Sequence, residues 1–399
     1  MNHPETSHDF SSRDHLNDDA LSSDFSADLS ADHSNRDDQC RDDTSHDYNS
    51  KHEVLGPRPR ARTSIMDERE DYGKKFSLII TDQCNIACAH CLPECTGKES
   101  FSLEWPVVRK LIEEAADNGI ETICFTGGEP FLKFDVLQAG IHLSHRLGLK
   151  STVMTNGYWA SSRRKARAKL EQLSGLTRLG ISTDVFHQVF VPVNKVINGV
   201  LAAHELGIYC GVRLTHLKQP DQEIAELQEQ LASVAGLYEL EHQPVQPLGR
   251  AEHEIPYEEI FSYDVTAACC RSADVHAVNP NGCVTACCGA AGEWEEGHPL
   301  SFGNVHKNSV DEILDTARNS QALHAVRLWG SSGLLKLAMD EARRQCQTLE
   351  DPEIHNLCEL CRFTNTDEKC VKFLNDALER EDVRRSIRFA RLKDLGETF

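Results

Sequence analysis

A chain of 399 residues, 40% of them hydrophobic, can form one large domain or two of ordinary size. Its formal net charge of -21 excludes a mainly nucleic-acid partner, because phosphate binding needs clustered Lys and Arg. No apolar run approaches the roughly 18 residues of a membrane span and none follows the first Met, so neither a membrane anchor nor a secretory signal is expected, and a cytoplasmic location is.

Residues 1–70 are rich in Asp, Ser, His and Asn, and the first 50 carry 13 acidic against 3 basic side chains. Such a segment buries too little apolar surface to offset its chain entropy, and it reads as a disordered acidic tail. Its six histidines and Cys40 read as incidental.

From about residue 75 the pattern alternates between short apolar strands and amphipathic helices. Strands are expected at 75–81, 121–126, 150–155, 179–183, 208–214 and 238–245. Helices are expected at 103–118, 136–147, 163–173, 193–206 and 223–235. Six βα repeats imply a parallel sheet curled into a partial (β/α)6 TIM-like barrel over 71–250, with its active site at the C-terminal ends of the strands. After 250 the alternation stops. Residues 269–290 are rich in Cys and Gly, and Asn-Pro-Asn-Gly at 279–282 reads as a hairpin turn. Helices follow at 310–319 and 321–345, with a charged C-terminal helix at 367–393. The domains expected are therefore a tail (1–70), a barrel core (71–250), a small Cys-rich α+β domain (251–375) and a C-terminal helix (376–399).

Sixteen cysteines without a secretory signal point to metal or cluster ligation rather than disulfides. Cys84-Asn-Ile-Ala-Cys88-Ala-His-Cys91 follows the first strand directly. Three thiols on one compact loop suit three iron corners of a cubane cluster, leaving the fourth open to a small molecule. A zinc site is the alternative, with His90 or Cys95 as fourth ligand.

This Cys-x-x-x-Cys-x-x-Cys loop resembles the signature of the radical S-adenosylmethionine (SAM) superfamily. Gly127-Gly128-Glu129-Pro130, at the end of the second strand, resembles the element that receives the SAM amino group in that family. Asn156 after the third strand, and Ser182 and Asp184 after the fourth, resemble its ribose- and carboxylate-facing positions. Arg213 on the fifth strand could pair with the SAM carboxylate in bidentate fashion. His90 stands where the family usually has an aromatic residue near the adenine. The resemblance implies a [4Fe-4S] cluster with SAM at its open iron, cleaved by one electron to a 5′-deoxyadenosyl radical that takes hydrogen from a C–H bond. An electron donor such as flavodoxin or ferredoxin is implied with it.

Cys270, Cys287, Cys358 and Cys361, with Phe302-Gly303-Asn304-Val305 between the two pairs, resemble the auxiliary-cluster domain called twitch or its longer form, SPASM. The resemblance implies one auxiliary [4Fe-4S] cluster. Spacing does not separate Cys269 from Cys270, or Cys283, Cys287 and Cys288 from one another. A structural zinc site of four cysteines is the alternative.

The reaction expected is a net oxidation or other tailoring step on a small polar metabolite. The alternative substrate is a ribosomal peptide, cross-linked or epimerised, and a non-enzymatic cluster or zinc protein is the remote one. Asp184, His187, His216, Glu241 and Arg250 fall near strand ends and read as ordinary polar residues. Cys95, Cys124, Cys210 and Cys346 are spare thiols, none of them assigned as a hydrogen donor.

Overall fold

The computed structural model describes residues 73–95, 101–262, 265, 270, 272–290, 298–354 and 356–395. The acidic tail, Cys40 and Cys269 lie outside the described residues.

Six βα repeats form as expected. The strands are β1 (Lys75–Ile79), β2 (Thr122–Thr126), β3 (Lys150–Thr155), β4 (Leu176–Ser182), β5 (Tyr209–His216) and β6 (Glu239–Pro244). Between them run α1 (Trp105–Asp117), α2 (Phe134–Arg146), α3 (Arg163–Leu170), the short α4 (Val185–Gln188), α5 (Val193–Glu205) and α6 (Pro220–Gln230). α1 starts two residues later than its apolar pattern, where Pro106 fits the first turn. All six strands pair in parallel, in order β6-β5-β4-β3-β2-β1.

The two faces of this sheet differ in chemistry because side chains alternate along each strand. Phe76, Leu78, Ile123, Phe125, Val153, Leu179, Ile181, Val212 and Leu214 are buried under the helices and form the core. The alternate positions, facing the barrel interior, hold Ser77, Cys124, Thr126, Thr152, Met154, Gly180, Ser182, Gly211, Arg213 and Thr215. Small and polar residues on that side leave a hollow rather than a second core.

The sheet does not end at residue 250. After α7 (Ala251–Glu254) the chain returns as β7 (His276–Val278), which pairs in parallel with β1 on the side away from β2. β8 (Cys283–Thr285) and β9 (Ser301–Asn304) then extend it antiparallel, giving nine strands in one sheet among the described residues. The turn read at 279–282 joins β7 to β8, with Gly282 N–H donating to the Asn279 carbonyl at 2.8 Å.

The helices beyond are α8 (Val310–Asn319), α9 (Gln321–Arg344), α10 (Leu357–Thr366), α11 (Glu368–Glu379) and α12 (Glu381–Leu395). α9 bends at Gly330, whose φ of 67° no other residue type adopts easily. The single helix expected at 367–393 is two. Arg380 is extended (ψ 136°), and α12 turns back to bury Val383 and Ile387 in the same core as α9 and α11. Among the described residues, no helix is long and apolar enough to cross a membrane.

Candidate active site

The C-terminal ends of all six parallel strands open into one cavity of about 210 Å³. Cys84, Cys88 and Cys91 line it from the loop after β1, and Gly127 and Gly128 from the end of β2. Asn156 and Ser182 line it from the ends of β3 and β4, and Gln243 and Gln246 from β6 and beyond.

The loop after β1 is held by backbone pairing with the end of β2. Gly128 N–H donates to the Thr81 carbonyl at 2.8 Å, and Glu129 N–H to that of Gln83 at 2.9 Å. A Cβ on Gly127 would lie 2.3 Å from the Thr81 oxygen, and one on Gly128 2.2 Å from that of Gln83. Glycine is required here by the approach of two chain segments, in addition to any ligand. Asn156 ties the same loop to β3, its amide donating to Asn85 Oδ1 at 3.0 Å and pointing at Cys84 Sγ at 4.0 Å.

Glu129 faces away from the cavity. Its carboxylate is fully buried and accepts from Phe131 N–H (3.0 Å), Thr155 Oγ1 (2.8 Å) and Asn156 N–H (2.8 Å). Burial pushes it up to about 7, against those three donors. It fixes the end of β3 rather than presenting an oxygen to the cavity.

Asp184 also lies behind the wall, 1% exposed. It caps α4 by accepting from the N–H groups of Phe186 and His187, both at 3.0 Å. Its Oδ2 meets His187 Nδ1 at 2.8 Å and His90 Nε2 at 3.3 Å. Burial opposes its ionisation, yet the two imidazoles hold it well below the usual carboxylate range. In turn it raises His187 to about 10, against that histidine's own burial. The donor atoms of His90, Asp184 and His187 all lie within 4.8 Å, close enough for a metal ion. The carboxylate's commitments to backbone amides favour a supporting role, with His90 stacked on Phe186 (centroids 4.8 Å) and facing the cavity.

Arg213 does not line the cavity. Its Nη2 and Nε donate to Glu241 Oε2 at 2.7 and 3.2 Å, and Arg178 also pairs with Glu241. Glu241 thus pairs with the guanidinium that the resemblance assigned to the SAM carboxylate.

The loop fits a cluster by its chemistry. Burial pushes Cys84 up to about 11, whereas the hydrogen bond from Cys95 brings Cys91 down to about 6, with Arg250 and His187 adding to the effect. Cys95, on the other side of that bond, is pushed up. His90 Nδ1 and Gln246 Oε1 are buried on this wall with no hydrogen-bond partner among the described residues, as a polar ligand in the cavity would require.

Cys270, Cys287, Cys358 and Cys361 converge in the second region. The charges of Cys270, Cys287 and Cys358 add to burial in pushing Cys361 well up. Cys358 and Cys361 lie one turn apart on α10, whose start is fixed by Asn356 accepting from the Cys358 and Glu359 N–H groups. Cys283 sits buried in β8.

Cys288 stays near this set, its charge helping to raise Cys358, and it also faces a second hollow. Cys287 turns to the auxiliary set, and Cys288 lines this hollow of about 280 Å³ with Leu92, Pro93 and Cys95. Its thiol is raised by burial, lowered by the nearby Arg213, and itself raises Cys124 on β2. It keeps solvent-accessible surface because the space around it is hollow.

Residues 78–231 match the radical SAM superfamily, and residues 269–362 match SPASM, an iron-sulfur cluster-binding domain. A putative peptide biosynthesis protein of Bacillus subtilis (strain 168), YydG, is 25% identical over 301 residues, covering 73% of this chain and 91% of that one. A GTP 3′,8-cyclase of Vibrio parahaemolyticus is 32% identical over 164 residues, 37% of this chain, which spans only 47% of the cyclase. The crystal structure of Streptococcus suis SuiB bound to S-adenosylmethionine aligns with 16% identity and a TM-score of 0.46, over 64% of this chain and 68% of that one.

Proposed function

Because the chain belongs to the radical SAM superfamily and carries a SPASM domain, we propose that it modifies a peptide, taking hydrogen from a Cα–H bond held in the barrel. The relative that spans most of both chains is named for peptide biosynthesis, and that observation carries the reading. It favours the peptide over the small polar metabolite expected from the chain alone.

The superfamily's [4Fe-4S] cluster and SAM supply a 5′-deoxyadenosyl radical when bound, and the SPASM domain holds auxiliary iron-sulfur. Cys84, Cys88 and Cys91 are the ligands proposed for the first cluster. Cys270, Cys287, Cys358 and Cys361 are those proposed for a single auxiliary [4Fe-4S] cluster. The backbone of Gly127 and Gly128 would receive the SAM amino group, Ser182 and Asn156 would offer polar groups to its ribose and carboxylate, and His90 would stack on its adenine, since all of them line the cavity. Glu129 and Asp184 hold these residues in place from behind. The electron comes from a small donor such as flavodoxin or ferredoxin.

Among peptide modifications, the position of Cys288 favours epimerisation. Its S–H bond breaks homolytically and the hydrogen forms a new C–H bond on the opposite face of the Cα radical. The sulfur radical left behind takes one electron from the donor and one proton from water before the next turnover. No net oxidation results.

The test is to incubate the reconstituted enzyme with short peptides encoded beside its gene, in deuterated water. Epimerisation predicts a gain of about one mass unit at a single residue, because the thiol exchanges its hydrogen with solvent. The Cys288→Ala variant should still form 5′-deoxyadenosine but return no deuterium. A loss of about two mass units instead would show a cross-link or dehydrogenation. Turnover of small alcohols with every peptide left unchanged would restore the metabolite reading.

A further inference from the structure

Arg250 lies just beyond β6, outside both proposed ligand sets and outside the cavity lining. Its Nη1 donates to the Cys88 carbonyl at 2.7 Å and its Nη2 to the Cys95 carbonyl at 2.8 Å. Its own N–H donates to the Cys91 carbonyl at 3.0 Å. One residue therefore holds three carbonyls of the loop that carries the proposed cluster ligands, across as many as 162 positions of sequence. The approach depends on Gly249, where φ is +58° and a Cβ would lie 2.1 Å from the Leu92 oxygen.

Two features mark this contact as more than packing. The Arg250 side chain is only 12% exposed, yet its close partners are carbonyls; among the described residues its carboxylate partner is Glu254, 3.9 Å away and half exposed. A largely buried cation whose one carboxylate partner is distant and half exposed is costly unless more negative charge lies nearby, and thiolates on a bound cluster would supply it. In addition, β6 and β1 are not neighbours in the sheet, so no strand ladder joins the last repeat to the first loop. The Gly249–Arg250 pair spans that seam.

We propose that Arg250 is a positioning residue for the radical-generating cluster, a clasp that pins residues 88–95 to the end of β6 and holds a positive charge beside the reduced cluster. The two-pronged guanidinium provides the geometry, and the charge stabilises the more negative, reduced state. The inference rests on the proposed ligand set of Cys84, Cys88 and Cys91.

The full chain would be compared as wild type, Arg250→Lys, Arg250→Met and a triple Ala variant of the three cysteines. Three readouts apply: hydrogen exchange of amides 86–95 in the apoprotein, loss of iron to a chelator, and the midpoint potential of the cluster by electron paramagnetic resonance. Arg250→Lys should expose those amides and lose iron about tenfold faster, since an ammonium on a flexible stem lacks the fixed two-pronged fork of the guanidinium, while keeping a near wild-type potential. Arg250→Met should do the same and also shift the potential to more negative values. Wild-type exchange and iron retention in Arg250→Lys would overturn the clasp, and this variant decides the matter alone if Arg250→Met does not fold. An unshifted potential in a folded Arg250→Met would overturn the charge effect. If the triple Ala variant kept all its iron, the ligand set itself would be wrong, an outcome separate from either.

Discussion

Asp184 accepts from the N–H groups of Phe186, His187 and Thr215 while facing two imidazoles, all from a position 1% exposed. Its charge is what keeps His187 protonated. His187 is raised from 6.5 to about 10, so its contribution to stability is complete below about pH 6.5 and is lost as pH rises through 10. In the apoprotein, denaturation midpoints measured from pH 6.5 to 10 should fall by the equivalent of a few kcal/mol from this pair. The His187→Gln variant should be less stable at pH 6.5 and show a shallower slope above it. A wild-type slope in the variant would mean that the pair carries no pH dependence. The sequence placed Asp184 correctly at the end of a strand, but no spacing rule tells a ligand-facing carboxylate from one that caps the next helix. Arg213 has the same ambiguity. A strand residue pointing into a barrel can face the ligand or a neighbouring strand, and Glu241, two positions into β6, was the partner that decided it. Cys84, Cys88 and Cys91 were legible because their spacing sits on one loop, where neighbours in sequence are neighbours in space.

α2 shows how the helices are seated on the sheet. Gly140 lies against Phe125, with the ring so near that a Cβ would come within 2.6 Å of it. Phe125 is fully buried, and full burial of such a side chain is worth about 2–3 kcal/mol. Gly140→Ala gains helix propensity but overpacks this contact, and a net loss of about 1–3 kcal/mol is expected by urea denaturation. A stabilised variant would show that the ring has room to move. The strands and first helices were legible because one buried face gives them a period. α9 was found by length, although much of its circumference is buried and its periodicity is weak. α4 and α10 were missed because one or a few turns carry too little pattern. The break at Arg380 was missed as well: it contains neither Gly nor Pro, and comes from the return of α12 onto α9 and α11.

Across the whole molecule, the boundary near residue 250 is a change of sequence texture without a break in the sheet. β7 adds to β1, so the hairpin leading to Cys287 and Cys288 grows from the strand that leads to Cys84. One sheet thus sets the relative position of both proposed cluster sites and of the thiol between them. Local patterns could not reveal this, because the pairing of β1 with β7 joins segments about 200 residues apart.

The central claim is that two separate cysteine sets hold two clusters and that only the first cleaves SAM. Its most direct test is to count iron and sulfide, and to measure 5′-deoxyadenosine after dithionite and SAM, in three anaerobically reconstituted proteins: wild type, the triple Ala variant at Cys84, Cys88 and Cys91, and the double Ala variant at Cys358 and Cys361. About eight irons are predicted for the wild type and about four for each variant, with deoxyadenosine formed by the wild type and the double variant but not by the triple one. Zinc in place of iron, or deoxyadenosine from the triple variant, would contradict the account.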